Sequence, residues 1–113
     1  ASDWSSDVCS TDLFFQINKT AIAKSEAGKV QEVAEYLNAN PNAKVEVTGY
    51  ADIGTGNPTI NKRLSKLRAE SVFNALTKQY KIDASRIKVD YKGDTIQPFA
   101  KEADNRVAIC IAE

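Results

Sequence analysis

KVEVTGYADIGTGNPTINKRLSKLRAESV, residues 44–72, is the stretch on which the reading of the fold turns. Its first eight residues alternate. Val45, Val47, Gly49 and Ala51 share one face and Lys44, Glu46, Thr48 and Tyr50 the other, the period of a strand with one covered face. Gly54, Gly56, Asn57 and Pro58 then break regular structure, and Asn57 followed by Pro58 is a good N-cap and first-position pair for a helix. Beyond it, Ile60, Leu64, Leu67, Val72, Ala75, Leu76 and Tyr80 form a roughly continuous apolar stripe, with Lys81 as the stop. The helix opens basic: Lys62, Arg63, Lys66 and Arg68 face only Glu70. A helix start carries partial positive charge and favours acids, each by about 0.3–1 kcal/mol. Cations gathered there anticipate an arriving anion. Asp52, isolated at the strand-to-loop edge, has the opposite sign, and an acid facing a base in this way suits a zwitterionic ligand.

On the N-terminal side, Phe14 to Ile17 is β-prone, and Asn18-Lys19-Thr20 turns the chain. Ile22 anchors the approach to a helix over residues 25–38, where Val30, Val33, Ala34 and Leu37 recur at helical spacing. Ser25 is the expected N-cap, Asn40-Pro41-Asn42 the stop, and Gly28 an interior cost of about 1 kcal/mol relative to alanine. On the C-terminal side, Asp83-Ala84-Ser85 makes a turn into a strand over 86–91, with Ile87, Val89 and Tyr91 on one face. A loop over 93–104 leads to a last strand over 106–112, with Val107, Ile109 and Ile111 facing one way and Ala108 and Cys110 the other. The order β-α-β-α-β-loop-β predicts an α+β, two-layer α/β sandwich, with two main helices on one face of a mixed four-stranded sheet.

Composition narrows the function. The 113 residues are enough for one domain with its own core, and a 42% apolar, 27% charged chain is not a disordered one. Fifteen basic and fifteen acidic residues cancel, so no basic field exists to hold nucleic acid. Histidine, the commonest metal ligand and general base, is absent. Cys9 and Cys110 are too far apart in sequence for a metal pair and read as unlinked, inert thiols. No paired carboxylates and no Ser–Lys dyad stand at catalytic spacing, which argues against an enzyme and calls for no cofactor. No apolar run approaches the roughly 20 residues of a membrane span, and no signal peptide is visible, so an exported parent would make this an excised domain.

Residues 1–13 differ from the rest. Serine and aspartate dominate, and neither strand nor helix periodicity emerges, the composition of a disordered leader. Residues 3–13 resemble DWSSDVCSSDL, one reading frame of a widely used sequencing-adapter oligonucleotide, and depart from it only at Thr11. This implies a non-native leader, residues 1–13, fused to a domain over 14–113, with Trp4 and Cys9 carrying no evolved role.

The helix residues Asn61-x-x-Leu64-Ser65-x-x-Arg68-Ala69-x-x-Val72 resemble the signature helix of OmpA-like peptidoglycan-binding domains. Phe14-Phe15-x-x-Asn18-Lys19, Gly49-Tyr50-Ala51-Asp52 and Asn105-Arg106-Val107 agree with the same family in order. The loops at Thr55-Gly56-Asn57-Pro58 and Gln97-Pro98-Phe99 look most like Bacteroides-type outer-membrane proteins. The resemblance implies a periplasmic, non-catalytic domain of an outer-membrane protein. It would grip the peptide stem of peptidoglycan, and any attachment to the membrane would run through a preceding region of the parent. The implied ligand is diaminopimelate, with Asp52 taking its ammonium and Arg68 its carboxylate. Asn18 and Asn61 match positions lining that pocket, and Arg106 matches the basic residue of the last strand. Many members carry Asn-Arg-Arg-Val there, one arginine more than this chain, which leaves Arg106 with either a ligand role or a structural one. Lys62, Arg63 and Lys66 then read as a solvated basic face attracting the anionic wall. The rival readings are a protein-interaction or dimerisation module without ligand binding and, more remotely, an enzyme.

Overall fold

Two strand–helix–strand connections and one long return loop generate the sheet. The computed structural model describes residues 9–54 and 56–113, the side chain of Glu102 excepted. Strand β1 (Cys9–Phe14) leads into helix α1 (Lys24–Ala39), which returns the chain to β2 (Val45–Gly49). Helix α2 (Pro58–Asn74), extended by a π-helical turn over Ala75–Gln79, carries it on to β3 (Ile87–Tyr91), parallel to β2. After the loop, β4 (Val107–Ala112) enters between β1 and β2, antiparallel to both, so the strand order is β1-β4-β2-β3. The predicted mixed four-stranded sheet with two main helices is the one observed.

One core lies between sheet and helices. Val30, Val33, Ala34 and Leu37 of α1 and Ala69, Val72 and Leu76 from the second helical segment meet Leu13, Val45, Val47, Ala108, Cys110 and Ala112 of the strands. The covered face of β4 is therefore its small-residue face, while Ile111 on the other side is 43% exposed. Burial pushes the Cys110 thiol up to about 12, so it stays protonated and inert.

The stripe expected on α2 is displaced. Ile60 is 45% exposed and Leu64 and Leu67 are half-buried, whereas Asn61, Ser65, Arg68, Ala69 and Val72 are buried. The reason is how closely helix and strand approach. A Cβ on Gly49 would lie 1.9 Å from the Ser65 carbonyl oxygen and 3.2 Å from the Ala69 nitrogen. With backbone against backbone, the row facing the sheet must be small or polar, and the leucines move to the flanks.

The first strand, expected from Phe14 to Ile17, lies instead at Cys9–Phe14. Residues 1–8, with Trp4, lie outside the described residues, but residues 9–13 belong to β1, and this corrects the expectation of a disordered leader over 1–13. Cys9 pairs with Ala112 and Phe14 with Val107 across the ladder, and Leu13 is fully buried. Strand pairing is made by backbone groups, so the open edge of β4 accepts a sequence of low β-propensity when one apolar residue, here Leu13, falls on the covered side. The outward edge of β1 is guarded by α1. The Phe14 N–H donates to Glu26 Oε1 at 2.8 Å, and Lys29 Nζ donates to the Asp12 carbonyl at 2.8 Å and to Glu26 Oε1 at 2.9 Å. Occupying those groups blocks pairing with a further strand. Helix α1 itself starts one residue before Ser25, and its N-cap, Ala23, supplies no side-chain bond.

Two measurements test this arrangement. Gly49→Ala should cost at least about 2 kcal/mol in chemical denaturation, because the new methyl group meets helix backbone that has no rotamer to change. Glu26 feels burial, which opposes its charge. The Lys29 and Phe14 hydrogen bonds and the Lys29 charge outweigh that, so its pKa falls below the ordinary 4.5. A lowered carboxylate stabilises the fold above its unfolded pKa and ceases to do so as pH drops through the folded value. The melting temperature of Glu26→Gln should therefore lie below wild type at neutral pH, with the gap closing once pH falls under 4.5.

Candidate functional site

The end of β2, the first turns of α2, the 16–19 turn and the start of β4 converge on four of the five expected residues. Asp52 follows β2 and is 2% exposed. Its carbonyl accepts from Asn61 Nδ2 at 3.3 Å, which ties the strand end to the buried face of α2. Its Oδ1 lies 3.8 Å from Arg106 Nη1, inside ion-pair range but too long for a hydrogen bond.

Arg68 is fully buried, with 0% exposure. Its Nε donates to the Lys19 carbonyl at 3.0 Å, Nη1 to the Tyr50 carbonyl at 3.0 Å and Nη2 to the Gln16 carbonyl at 3.3 Å. The Phe15 ring lies 5.6 Å from its guanidinium carbon. Burial lowers its pKa to about 10, with the Asp52 charge working against that and Arg106 adding to it, so Arg68 is still a cation at neutral pH. Arg106 donates from Nε to the Phe15 carbonyl at 3.3 Å and keeps 20% of its side chain in solvent. One carboxylate and two guanidinium groups thus form a largely water-excluded, net positive cluster, receptive to an added anion.

Asn61, also buried, donates to Asp94 Oδ2 at 2.9 Å besides its bond to Asp52. Its Oδ1 would sit 2.7 Å from a Cβ at Gly56, whose φ of +69° already requires glycine. Asn18 is the outlier. It is exposed and holds φ +57° in the turn closed by the Lys19 N–H and the Gln16 carbonyl at 3.0 Å. Asparagine tolerates that left-handed conformation, and the turn presents the Gln16 and Lys19 carbonyls to Arg68. Lys62, Arg63 and Lys66 are exposed, as a solvated basic face requires.

Three residues that stood in the quoted motifs without an assigned role support the site. Ser65 Oγ donates to the Lys62 carbonyl at 2.7 Å and accepts the Gly93 N–H at 2.9 Å, docking the return loop on α2. Gln97 accepts the Ile53 N–H at 3.1 Å and donates to the Ala51 carbonyl at 3.0 Å, so it brackets Asp52. Asn105 makes a reciprocal pair with the Phe99 backbone, at 2.7 and 3.0 Å, and sets the chain for Arg106. Only the three-dimensional return of the 93–105 loop assembles these contacts.

Arg68→Lys should lower stability by about 3 kcal/mol in urea denaturation, since one ammonium cannot serve three diverging carbonyls.

Comparison with known proteins agrees with this architecture. The chain is 37% identical over 97 residues to outer membrane protein 41 of Porphyromonas gingivalis, covering 86% of this chain and 24% of that one. It thus spans about a quarter of that curated relative. Among solved structures, the peptidoglycan-associated lipoprotein from Burkholderia pseudomallei superposes with a TM-score of 0.82 at 20% identity, covering 90% of this chain and 89% of that one. The cell wall anchor of the T6SS from Pseudomonas aeruginosa gives 0.72 at 23%, covering 93% and 78%. The family model described as "OmpA family" matches residues 14–109, nearly the whole of the sheet and both helices, and this chain accordingly belongs to the OmpA family.

Proposed function

We propose that this domain binds peptidoglycan non-covalently and anchors an outer-membrane protein to the cell wall from the periplasmic side, without catalysing a reaction. The observation carrying the reading is the buried Asp52 carboxylate, 3.8 Å from the Arg106 guanidinium and in charge interaction with that of Arg68. Family membership and the likeness to a peptidoglycan-associated lipoprotein and a cell wall anchor support it.

The finer proposal is that the ligand is the side-chain end of diaminopimelate, which carries an ammonium and a carboxylate together. At 3.8 Å the Asp52–Arg106 contact is loose, and a ligand ammonium at ordinary charge-assisted distance, about 2.7–2.9 Å, gains more than it displaces. The ligand carboxylate goes to Arg68. There it exchanges with the Gln16 carbonyl, the longest of the three bonds at 3.3 Å, and replaces a neutral acceptor with a charged one. Arg106, released from Asp52 and partly in solvent, adds a second positive charge on the carboxylate side. Asn61 holds the floor, and Asn18 shapes the turn at the rim.

Calorimetry with a diaminopimelate-containing peptide tests the proposal. Asp52→Asn keeps the shape and removes the charge, and should weaken binding at least about tenfold, the loss of one charge-assisted bond. A peptide with lysine in place of diaminopimelate, which lacks the paired carboxylate, should bind the wild type correspondingly less well. A wild-type protein that ignores the diaminopimelate peptide would turn the reading toward a protein-interaction module.

A further inference from the structure

Between the start of α2 and the return loop lies a cleft of about 330 Å³ that none of the five expected residues lines. Its walls are Pro58 and Lys62 of the first turn of α2 on one side and Tyr91, Lys92, Gly93 and Asp94 on the other. The walls are fixed in place. Gly93 donates its N–H to Ser65 Oγ and accepts from the Ala51 N–H at 2.9 Å. At φ +58°, a Cβ there would come within 3.2 Å of Lys62 Cα. The return loop is thus clamped to the helix, and the cleft between them is preformed.

Its charges are unequal. Lys62 and Lys92 line it, and Lys66 stands 5.9 Å from the centre of the Tyr91 ring that closes one side. The acids facing these groups are Asp90 and Asp94. Asp94 Oδ2 is turned to the Asn61 amide at 2.9 Å, while Asp90 accepts the Tyr91 N–H at 2.8 Å and pairs with Lys92 at 3.1 Å. Among the described residues no carboxylate lies within ion-pair distance of the Lys62 ammonium. Three ammonium groups against two committed carboxylates leave an excess of positive charge in a preformed cleft. One side chain links the cleft to Asp52, since Asn61 Nδ2 bonds both the Asp52 carbonyl and the Asp94 carboxylate.

We propose that this cleft is a second subsite, in which Lys62 and Lys92 receive a further carboxylate carried on the same wall peptide whose diaminopimelate occupies the Asp52 pocket. The inference rests on the ligand reading above and extends it from one residue of the peptide to its acidic neighbour. Lys62 meets the carboxylate directly. Lys92 turns from Asp90 toward it, and the Tyr91 ring covers the apolar stem of the bound residue.

Calorimetry with two probes separates the subsites: free diaminopimelate, and the tripeptide alanyl-γ-glutamyl-diaminopimelate, which adds a glutamyl α-carboxylate. Wild type should bind the tripeptide more tightly. The double variant Lys62→Gln/Lys92→Gln should lose about three- to tenfold for the tripeptide, the scale of partly screened charge contacts, and retain its affinity for free diaminopimelate. Amidating the glutamyl carboxylate should produce the same loss in wild type and no further loss in the variant. Thermal melting of the variant should match wild type, because both lysines are at least partly in solvent. Equal tripeptide affinity in variant and wild type overturns the subsite, and so does an equal loss for both probes. Wild type binding neither probe overturns the ligand reading itself, and the subsite with it.

Discussion

The burial of the Arg68 guanidinium organises much of the rest of the structure. A cation removed from water must be met by polar groups all round, or the fold bears an uncompensated charge. Here the 16–19 turn and the end of β2 bring three carbonyls to it, and Asp52 contributes charge from beside it. Helix α2, the chain after β1 and the end of β2 are thereby joined at one point. The close approach at Gly49 allows this, because it brings the α2 backbone down onto the strand and carries Arg68 inward with it.

The same device appears at the opposite end of the domain. Arg86 donates from Nε to the Ala43 carbonyl at 3.0 Å and from Nη2 to the Leu37 and Asn40 carbonyls at 2.8 and 2.9 Å. Leu37 belongs to the last turn of α1, Asn40 caps it and Ala43 lies in the turn beyond, and the planar, five-donor guanidinium is suited to collecting all three carbonyls. The two arginines differ in surroundings. Arg86 closes a helix end beside solvent, while Arg68 is buried near an acid and a second guanidinium. That difference leaves one arginine closing a helix end and sets the other in a buried charged cluster.

Around Arg68 the site is built from segments distant in the chain. The 93–105 loop contributes the Gly93 docking on Ser65, the Gln97 bracket and the Asn105 pair with Phe99, each fastening loop backbone by a side-chain amide or hydroxyl. These bonds keep Asp52 buried without regular structure on either side of it. The Gly93 docking on Ser65 also fixes one wall of the lysine-lined cleft, so a loop with no periodicity of its own becomes an ordered wall.

Much of this was legible from residue order. The alternation over 44–51, the Asn57-Pro58 helix start and the return strands dictate the mixed sheet with its two helices, because side-chain period and turn chemistry are local properties. Asp52, Arg68, Asn61 and Arg106 could be singled out by their pattern, and the structure brings them together. What the order of residues could not convey was which row of α2 faces the sheet. Apolarity pointed to Ile60, Leu64 and Leu67, but a glycine in the opposing strand let the backbones meet and turned Asn61, Ser65 and Arg68 inward. Nor could it reveal that residues 9–13 complete the sheet, since an open strand edge recruits backbone almost regardless of side chain. Local periodicity thus determined the elements. Only tertiary structure decided which polar groups are buried and what meets them, because burial depends on the distance between two backbones, and no single segment carries that distance.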